Sequence, residues 1–324
     1  MNVLFYTKLN ETWKKELSEL KKQFTDVNFF TETNQDILVT ADVIVGGLLS
    51  EETIRKAVNL KLIVVPFAGV DHLPMDLLIE RGIIAANSHG NANAVAERAL
   101  SMILALYGRI VSYHNDLKEG QWHGFWVGKG LNDTWESIRA KKCSIIGAGS
   151  IGRSLAAMLK PFNIRVCGYK RNIISDVPDH FDEIVYDLDE AIERSEIIVL
   201  ALPSTESTKG LFNSERLERM SGKVIVNVGR GDLLDEEALF NSLKNGILKG
   251  AAIDCWYNYP KNGDTFGFPS SFPIHNLPNV VLSPHVAGFT AGASKENIIE
   301  ASNNLKSFLL NSRTISSVDL RSGY

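Results

Sequence analysis

A chain of 324 residues is about twice the usual single-domain length, so two compact units, each able to bury a core, are expected. With 44% hydrophobic and 22% charged residues, 25 Gly and 10 Pro, the composition excludes a disordered or collagen-like chain. Lys plus Arg at 34 against Asp plus Glu at 38 gives a net charge of -4, with no local basic patch, which argues against a nucleic acid partner.

From the start, short apolar runs at 3–6, 43–47, 62–66 and 83–86 alternate with amphipathic stretches at 11–24, 51–59 and 75–81. That alternation reads as βαβ units building a parallel sheet. A long helix is expected over 94–118, followed by a Gly/Trp-rich connection at 120–130 that resembles a boundary. A second series follows, with strands at 143–146, 165–169, 184–186, 197–202, 224–228, 251–255 and 280–283 and helices at 151–159 and 236–243. These near-continuous Val/Ile/Leu runs suit strands covered by helices on both faces. A last helix, 291–310, has no strand after it and is expected to pack back on the first domain.

Gly147-Ala148-Gly149-Ser150-Ile151-Gly152 directly follows a strand and opens a helix, the context a dinucleotide fingerprint requires. The first glycine permits the tight turn, the second lets backbone approach a diphosphate, and the third lets helix and strand pack closely. The same motif also fits a glycine turn that binds nothing, or an S-adenosylmethionine site. About 20 residues on, a carboxylate would bond the ribose hydroxyls of NAD. Here the strand ends in Lys170-Arg171-Asn172, and two cations suit a ribose 2′-phosphate, so NADP(H) is favoured and NAD(H) is kept open. Two solvated loop cations are the alternative.

Cys143, Cys167 and Cys255 each lie in or at the end of an apolar run, with no metal-ligand spacing, and read as small buried hydrophobes in a reducing compartment. The chain runs from Met1 straight into a strand pattern and contains no 18 consecutive apolar residues, so a cytoplasmic protein without leader or membrane span is expected.

Two further residues have the right setting for chemistry. Arg230 follows a strand and precedes a helix start marked by Asp235-Glu236-Glu237, at the carboxyl edge where open α/β sheets bind ligands. His285 follows the run at 280–283 and is stiffened by Pro284, and histidine titrates where a proton donor to an alkoxide must. The other histidines, His72, His89, His114, His123, His180 and His275, show no metal spacing, so no metal is expected.

In order and spacing, Ala68-Gly69-Val70-Asp71, Val95-Ala96-Glu97, the 147–152 motif, Leu202-Pro203-Ser204-Thr205, Val226-Asn227-Val228-Gly229-Arg230-Gly231, Ala252-Ile253-Asp254 and Ser283-Pro284-His285 resemble the D-isomer-specific 2-hydroxyacid dehydrogenases over most of the chain. The resemblance implies two Rossmann-like or flavodoxin-like doubly wound parallel-sheet α/β domains with the active cleft between them. The expected domains are 1–97 plus 287–324 for substrate and 98–286 for the dinucleotide. It implies NAD(P)H-dependent reduction of a small 2-oxo acid of the glyoxylate or hydroxypyruvate class to a D-2-hydroxy acid, in a homodimer. Arg230 would hold the substrate, His285 would give the proton, and backbone N–H groups of Ala68 and Gly69 would meet the carboxylate. The cofactor set would be Gly147, Gly149, Ser150, Ile151, Gly152, Lys170, Arg171, Pro203, Thr208, Val228, Gly229, Asp254 and Gly288. Phe67, Asn91 and Trp256 are candidates to line the pocket, though aromatic residues beside strands are more often core.

One position departs from the family. A glutamate usually stands five residues after the strand-end aspartate and pairs with the histidine, but counting from Asp254 reaches Tyr259. A tyrosine supplies no charge at neutral pH, so His285 is expected to protonate at lower pH than is usual in the family. A catalytically impaired nucleotide sensor on the same fold is therefore the rival reading, and a 3-phosphoglycerate dehydrogenase a lesser one.

Overall fold

A computed structural model describes residues 1–32, 34–261 and 263–323, apart from the side chain of Asn132. Its contacts divide the chain into two units, Met1–Asn91 with the segment from Phe289 onward, and Ala92–Gly288. The boundaries fall at 91/92 and 288/289 rather than at the expected 97/98 and 286/287. A cut at 97 would split the helix Ala92–Tyr107, whose Val95, Ala96, Ala99, Met102, Ile103 and Tyr107 pack together in the second unit's core. The connection at 120–130 lies inside that second unit.

The first unit runs β1 (Asn2–Phe5), α1 (Glu11–Gln23), β2 (Asn28–Phe30), α2 (Gln35–Thr40), β3 (Val43–Val45), α3 (Glu51–Lys56), β4 (Leu62–Val64), α4 (Met75–Arg81) and β5 (Ile84–Ala86). Its sheet is parallel in the order β2-β1-β3-β4-β5. Helix starts are set by side chains that satisfy orphan N–H groups: Asn10 accepts from Trp13 N, Asn34 from Ile37 N and Ser50 from Thr53 N. β2 and α2 escape the sequence pattern because a three-residue edge strand and a six-residue helix are too short to establish a period.

The second unit opens with α5 (Ala92–Tyr107) and α6 (Ile110–Lys118) and two 3-10 turns, Gly124–Val127 and Gly130–Asp133. It continues with β6 (Lys142–Ile146), α7 (Ser150–Leu159), β7 (Arg165–Tyr169), β8 (Glu183–Val185), α8 (Leu188–Glu193), β9 (Ile197–Leu200), α9 (Ser214–Glu218), β10 (Val224–Asn227), α10 (Glu236–Lys244), β11 (Gly250–Ile253) and β12 (Val280–Leu282). The expected single helix over 94–118 is two helices, because Arg109 takes a left-handed conformation (φ 51) and breaks the ladder after Gly108. Seven parallel strands lie in the order β12-β11-β10-β9-β6-β7-β8, with a separate apolar cluster on each face. Such double coverage explains the unbroken Val/Ile/Leu runs.

The last helix, α11 (Ala291–Asn311), is capped by Thr290, which accepts from Ala293 N. It packs against α1 and β4 of the first unit, as the lack of a following strand suggested. Ile298, Ala301, Leu305 and Phe308 fill the face formed by Val3, Phe5, Val43, Val45, Leu62 and Val64. Among the described residues, no helix is long and apolar enough to cross a membrane, and no group of three or more His, Cys, Asp or Glu side chains is arranged to hold a metal ion. Cys143, Cys167 and Cys255 are all buried.

Candidate active site

The glycine turn stands where the second sheet changes direction: β6 is flanked by β7 on one side and β9 on the other, and the chain goes out both ways from it. Gly147 has φ 115, and a Cβ there would stand 2.6 Å from Ala201 O. A Cβ on Gly152 would stand 2.3 Å from Gly147 O, so only glycine lets α7 close on β6. Gly149 differs from both, since a Cβ there would meet nothing within 4 Å. It sits just ahead of α7, whose first turn has no side-chain cap. Open space before an uncapped ten-residue helix, carrying the N–H groups of Ser150, Ile151 and Gly152, fits a diphosphate.

At the end of β7, Lys170 is half-buried and its N–H donates to Val185 O, while exposed Arg171 donates from Nη1 to Ser207 Oγ at 3.3 Å. Ser207 belongs to the 203–208 segment after β9, so this bond spans the end of β6 where the glycine turn begins. The segment is braced from within. The Thr208 hydroxyl donates to Pro203 O and accepts from Thr205 N, both at 2.8 Å, so it holds the loop in shape.

Arg230, Asp254 and His285 follow the neighbouring strands β10, β11 and β12. Arg230 is half-buried and extended (φ -141), with Nη1 donating to Gly229 O at 2.9 Å. Its turn is set by fully buried Asn227, whose Nδ2 donates to Arg230 O at 2.8 Å and whose Oδ1 accepts from Gly229 N at 3.1 Å. The Cys255 thiol also donates to Gly229 O. A Cβ on Gly229 would stand 2.6 Å from Leu202 O and one on Gly231 2.2 Å from Trp256 O, so the Arg230 turn is clamped on both sides. Val228 is buried beside it.

His285 is exposed on a left-handed residue (φ 56), an unfavourable conformation for a side chain with a Cβ. The buried carboxylate of Asp254 holds that turn in place, with Oδ1 accepting from Ser283 Oγ and Val286 N and Oδ2 from Ala287 N. Trp256 adds a bond from Nε1 to Ser283 O at 2.8 Å. At 6% exposure, Trp256 belongs to the core rather than to a pocket lining. Gly288, half-buried, ends the unit two residues after Val286.

Tyr259 does stand beside His285, with ring centroids 5.3 Å apart and planes tilted by 49°. Its oxygen accepts from Trp256 N at 3.1 Å. Burial pushes the phenol above its ordinary range, opposed by the Trp256 N–H and by Arg230, so the ring is a neutral neighbour for the imidazole.

In the first unit, Ala68 and Gly69 follow β4 on a half-buried loop. Phe67 is wedged under Gly47, where a Cβ would come within 2.1 Å of its ring. Asn91 buries a side-chain oxygen for which no partner is found among the described residues. Asn227 and the grip of Asp254 on the His285 turn were not foreseen. A lone asparagine between Val226 and Val228 at the end of an apolar strand was the available signal, since a buried polar group demands partners.

A sequence profile described as the D-isomer specific 2-hydroxyacid dehydrogenase NAD binding domain matches residues 100–287. A glyoxylate reductase of Thermofilum pendens is 32% identical over 260 residues, covering 79% of this chain and 74% of that protein. A mitochondrial formate dehydrogenase of Solanum tuberosum is 31% identical, over 76% of this chain and 62% of that protein. Among solved structures, a protein from Pyrococcus horikoshii superposes with a TM-score of 0.81 at 29% identity, over 98% of this chain and 95% of that one.

Proposed function

The chain belongs to the D-isomer-specific 2-hydroxyacid dehydrogenase family, an oxidoreductase family using a nicotinamide dinucleotide, and from that premise we propose that it reduces a small 2-oxo acid of the glyoxylate or hydroxypyruvate class to the D-2-hydroxy acid, preferring NADPH. The observation that carries this is the pair of braced turns on β10 and β12, one presenting Arg230 under the grip of Asn227, the other His285 under that of Asp254. Building both turns in advance keeps reorganisation out of the barrier.

The N–H groups of Ser150, Ile151 and Gly152 would hold the diphosphate, with Pro203, Thr208, Val228, Gly229, Asp254 and Gly288 along the rest of the dinucleotide. Lys170 and Arg171 would pair with a ribose 2′-phosphate. When bound, the reduced nicotinamide supplies the hydride. Arg230 holds the substrate and polarises its carbonyl with a fixed charge; within the first unit, the N–H groups of Ala68 and Gly69 are the proposed binders of a carboxylate. His285 donates its ring proton to the substrate oxygen and, being exposed, regains one from solvent.

The test is oxidation of NADPH and NADH with glyoxylate, hydroxypyruvate and pyruvate from acid to neutral pH, dinucleotide affinity measured in parallel, and 3-phosphoglycerate as an oxidative control. Turnover with glyoxylate or hydroxypyruvate that rises toward acid pH is expected. Dinucleotide binding without turnover at any pH would favour the sensor reading, which Tyr259 beside His285 supports. The cofactor preference fails if Lys170→Ala with Arg171→Ala leaves the NADPH to NADH ratio of kcat/KM unchanged.

We further propose a homodimer joined through the second unit's arm at 110–135, where Ile110, Trp122, Phe125, Trp126, Leu131 and Trp135 are all exposed.

A further inference from the structure

A trans peptide group points its C=O and N–H in opposite directions. Fixing a carbonyl therefore aims the N–H of the next residue the other way. In the first unit two successive carbonyls of the loop after β4 are fixed: Phe67 O accepts from Ser88 N at 3.2 Å, and Ala68 O accepts from Asn87 Nδ2 at 2.8 Å. The N–H groups of Ala68 and Gly69 consequently face away from residues 87 and 88, two successive donors for a carboxylate with two oxygens.

Asn87 is itself held. Its carbonyl accepts from Asn304 Nδ2 on α11 at 3.0 Å, and Asn304 Oδ1 accepts from both Ile315 N and Ser316 N at 2.9 Å. Asn87 is 6% and Asn304 2% exposed, so neither amide has water to fall back on, and each bond lost leaves a polar atom stranded. The two side chains form a buried relay from the C-terminal segment through α11 to the loop.

We propose that Asn87, steadied by Asn304, is a positioning residue that sets the affinity of the Ala68–Gly69 N–H pair for the carboxylate of the substrate. This rests on the 2-oxo acid reading above and adds residues that the reading does not contain. Asn87 touches neither substrate nor cofactor in this account. Its loss should therefore act on carboxylate binding and leave the chemistry of Arg230 and His285 alone.

The experiment compares the full-length chain with Asn87→Ala, Asn87→Asp and Asn304→Ala. Glyoxylate and its uncharged methyl ester serve as substrates, and oxalate binding is followed by calorimetry as a readout free of turnover. Asn87→Ala is expected to raise KM for glyoxylate and Kd for oxalate about tenfold, with kcat, the ester's kcat/KM and the dinucleotide Kd little changed. Asn87→Asp should be worse, because it sets an acceptor against Ala68 O, and Asn304→Ala milder. A general loosening of the fold would instead move the melting temperature and both substrates together, and would overturn the proposal. So would unchanged glyoxylate KM and oxalate Kd in Asn87→Ala. Oxalate binding that weakens in Asn87→Ala, in a protein that turns over none of the oxo acids, would sink the reductase reading and keep the relay. A wild-type protein that binds no oxalate sinks the relay as well.

Discussion

A neutral ring beside His285 changes when the imidazole can carry its proton. Tyr259 is a phenol, neutral near pH 7 and pushed still further above its ordinary range by partial burial, where a carboxylate would favour the imidazolium. Tyr259→Glu should therefore extend the protonated form to higher pH, and the alkaline limb of kcat/KM for reduction should move up by about one unit. Rates measured from pH 5 to 9 decide this, and an unmoved limb would mean that residue 259 does not govern the proton. For Arg230→Lys a loss of about a hundredfold in kcat/KM is expected, because an ammonium cannot copy a planar guanidinium held on Gly229 O. Arg230, His285 and the glycines were legible because each is an unusual residue type at a fixed offset from a strand. Asn227, Asn87 and the bonds of Asp254 were not, since they act on backbone groups whose proximity only the fold creates.

At the level of elements, alternation of apolar and amphipathic runs was enough to foresee the parallel sheets, and it failed where elements were short or a helix was broken by one residue. β2 and α2 offered too few residues, and the left-handed Arg109 left no composition signal. The contact between β6 and α7 is the tightest consequence of the glycine motif. Gly152→Ala puts a methyl 2.3 Å from Gly147 O, so the helix must move outward. A stability loss of about 1–3 kcal/mol in urea unfolding is expected, with weaker dinucleotide binding in a fluorescence titration. Full affinity in that variant would separate the turn from the site.

For the whole molecule, the proposed association rests on the exposed arm of the second unit. No residue of α6 is buried, and Phe125 and Trp126 are 73% and 76% exposed. Phe125→Ser with Trp126→Ser should turn a dimer into a monomer in sedimentation. A monomeric wild-type protein would remove the assembly from the account. The arm is tied by Asp133, which accepts from Gly124 N, His123 Nδ1 and Arg109 Nη1. The Gly124 N–H, with His123 and Arg109, holds that carboxyl down at about 2, below its ordinary 3.8. A depressed acid contributes stability above its unfolded pKa and loses it as pH falls through the folded one. The arm should thus stay tied at every assay pH, and tryptophan emission from Trp122, Trp126 and Trp135 should shift only as acid is taken from about 4 toward 2.

The return of α11 to the first unit also orders events on the ribosome. β1 to β5 are translated first, yet the helix that covers Val3, Phe5, Val43, Val45, Leu62 and Val64 is translated only after all of Ala92–Gly288. The second unit, continuous in sequence, can finish folding while the first still shows one bare apolar face to solvent. Nascent chains stalled before residue 291 should therefore be captured by chaperones through the older half of the molecule, and the age of a segment and its state of completion run in opposite directions.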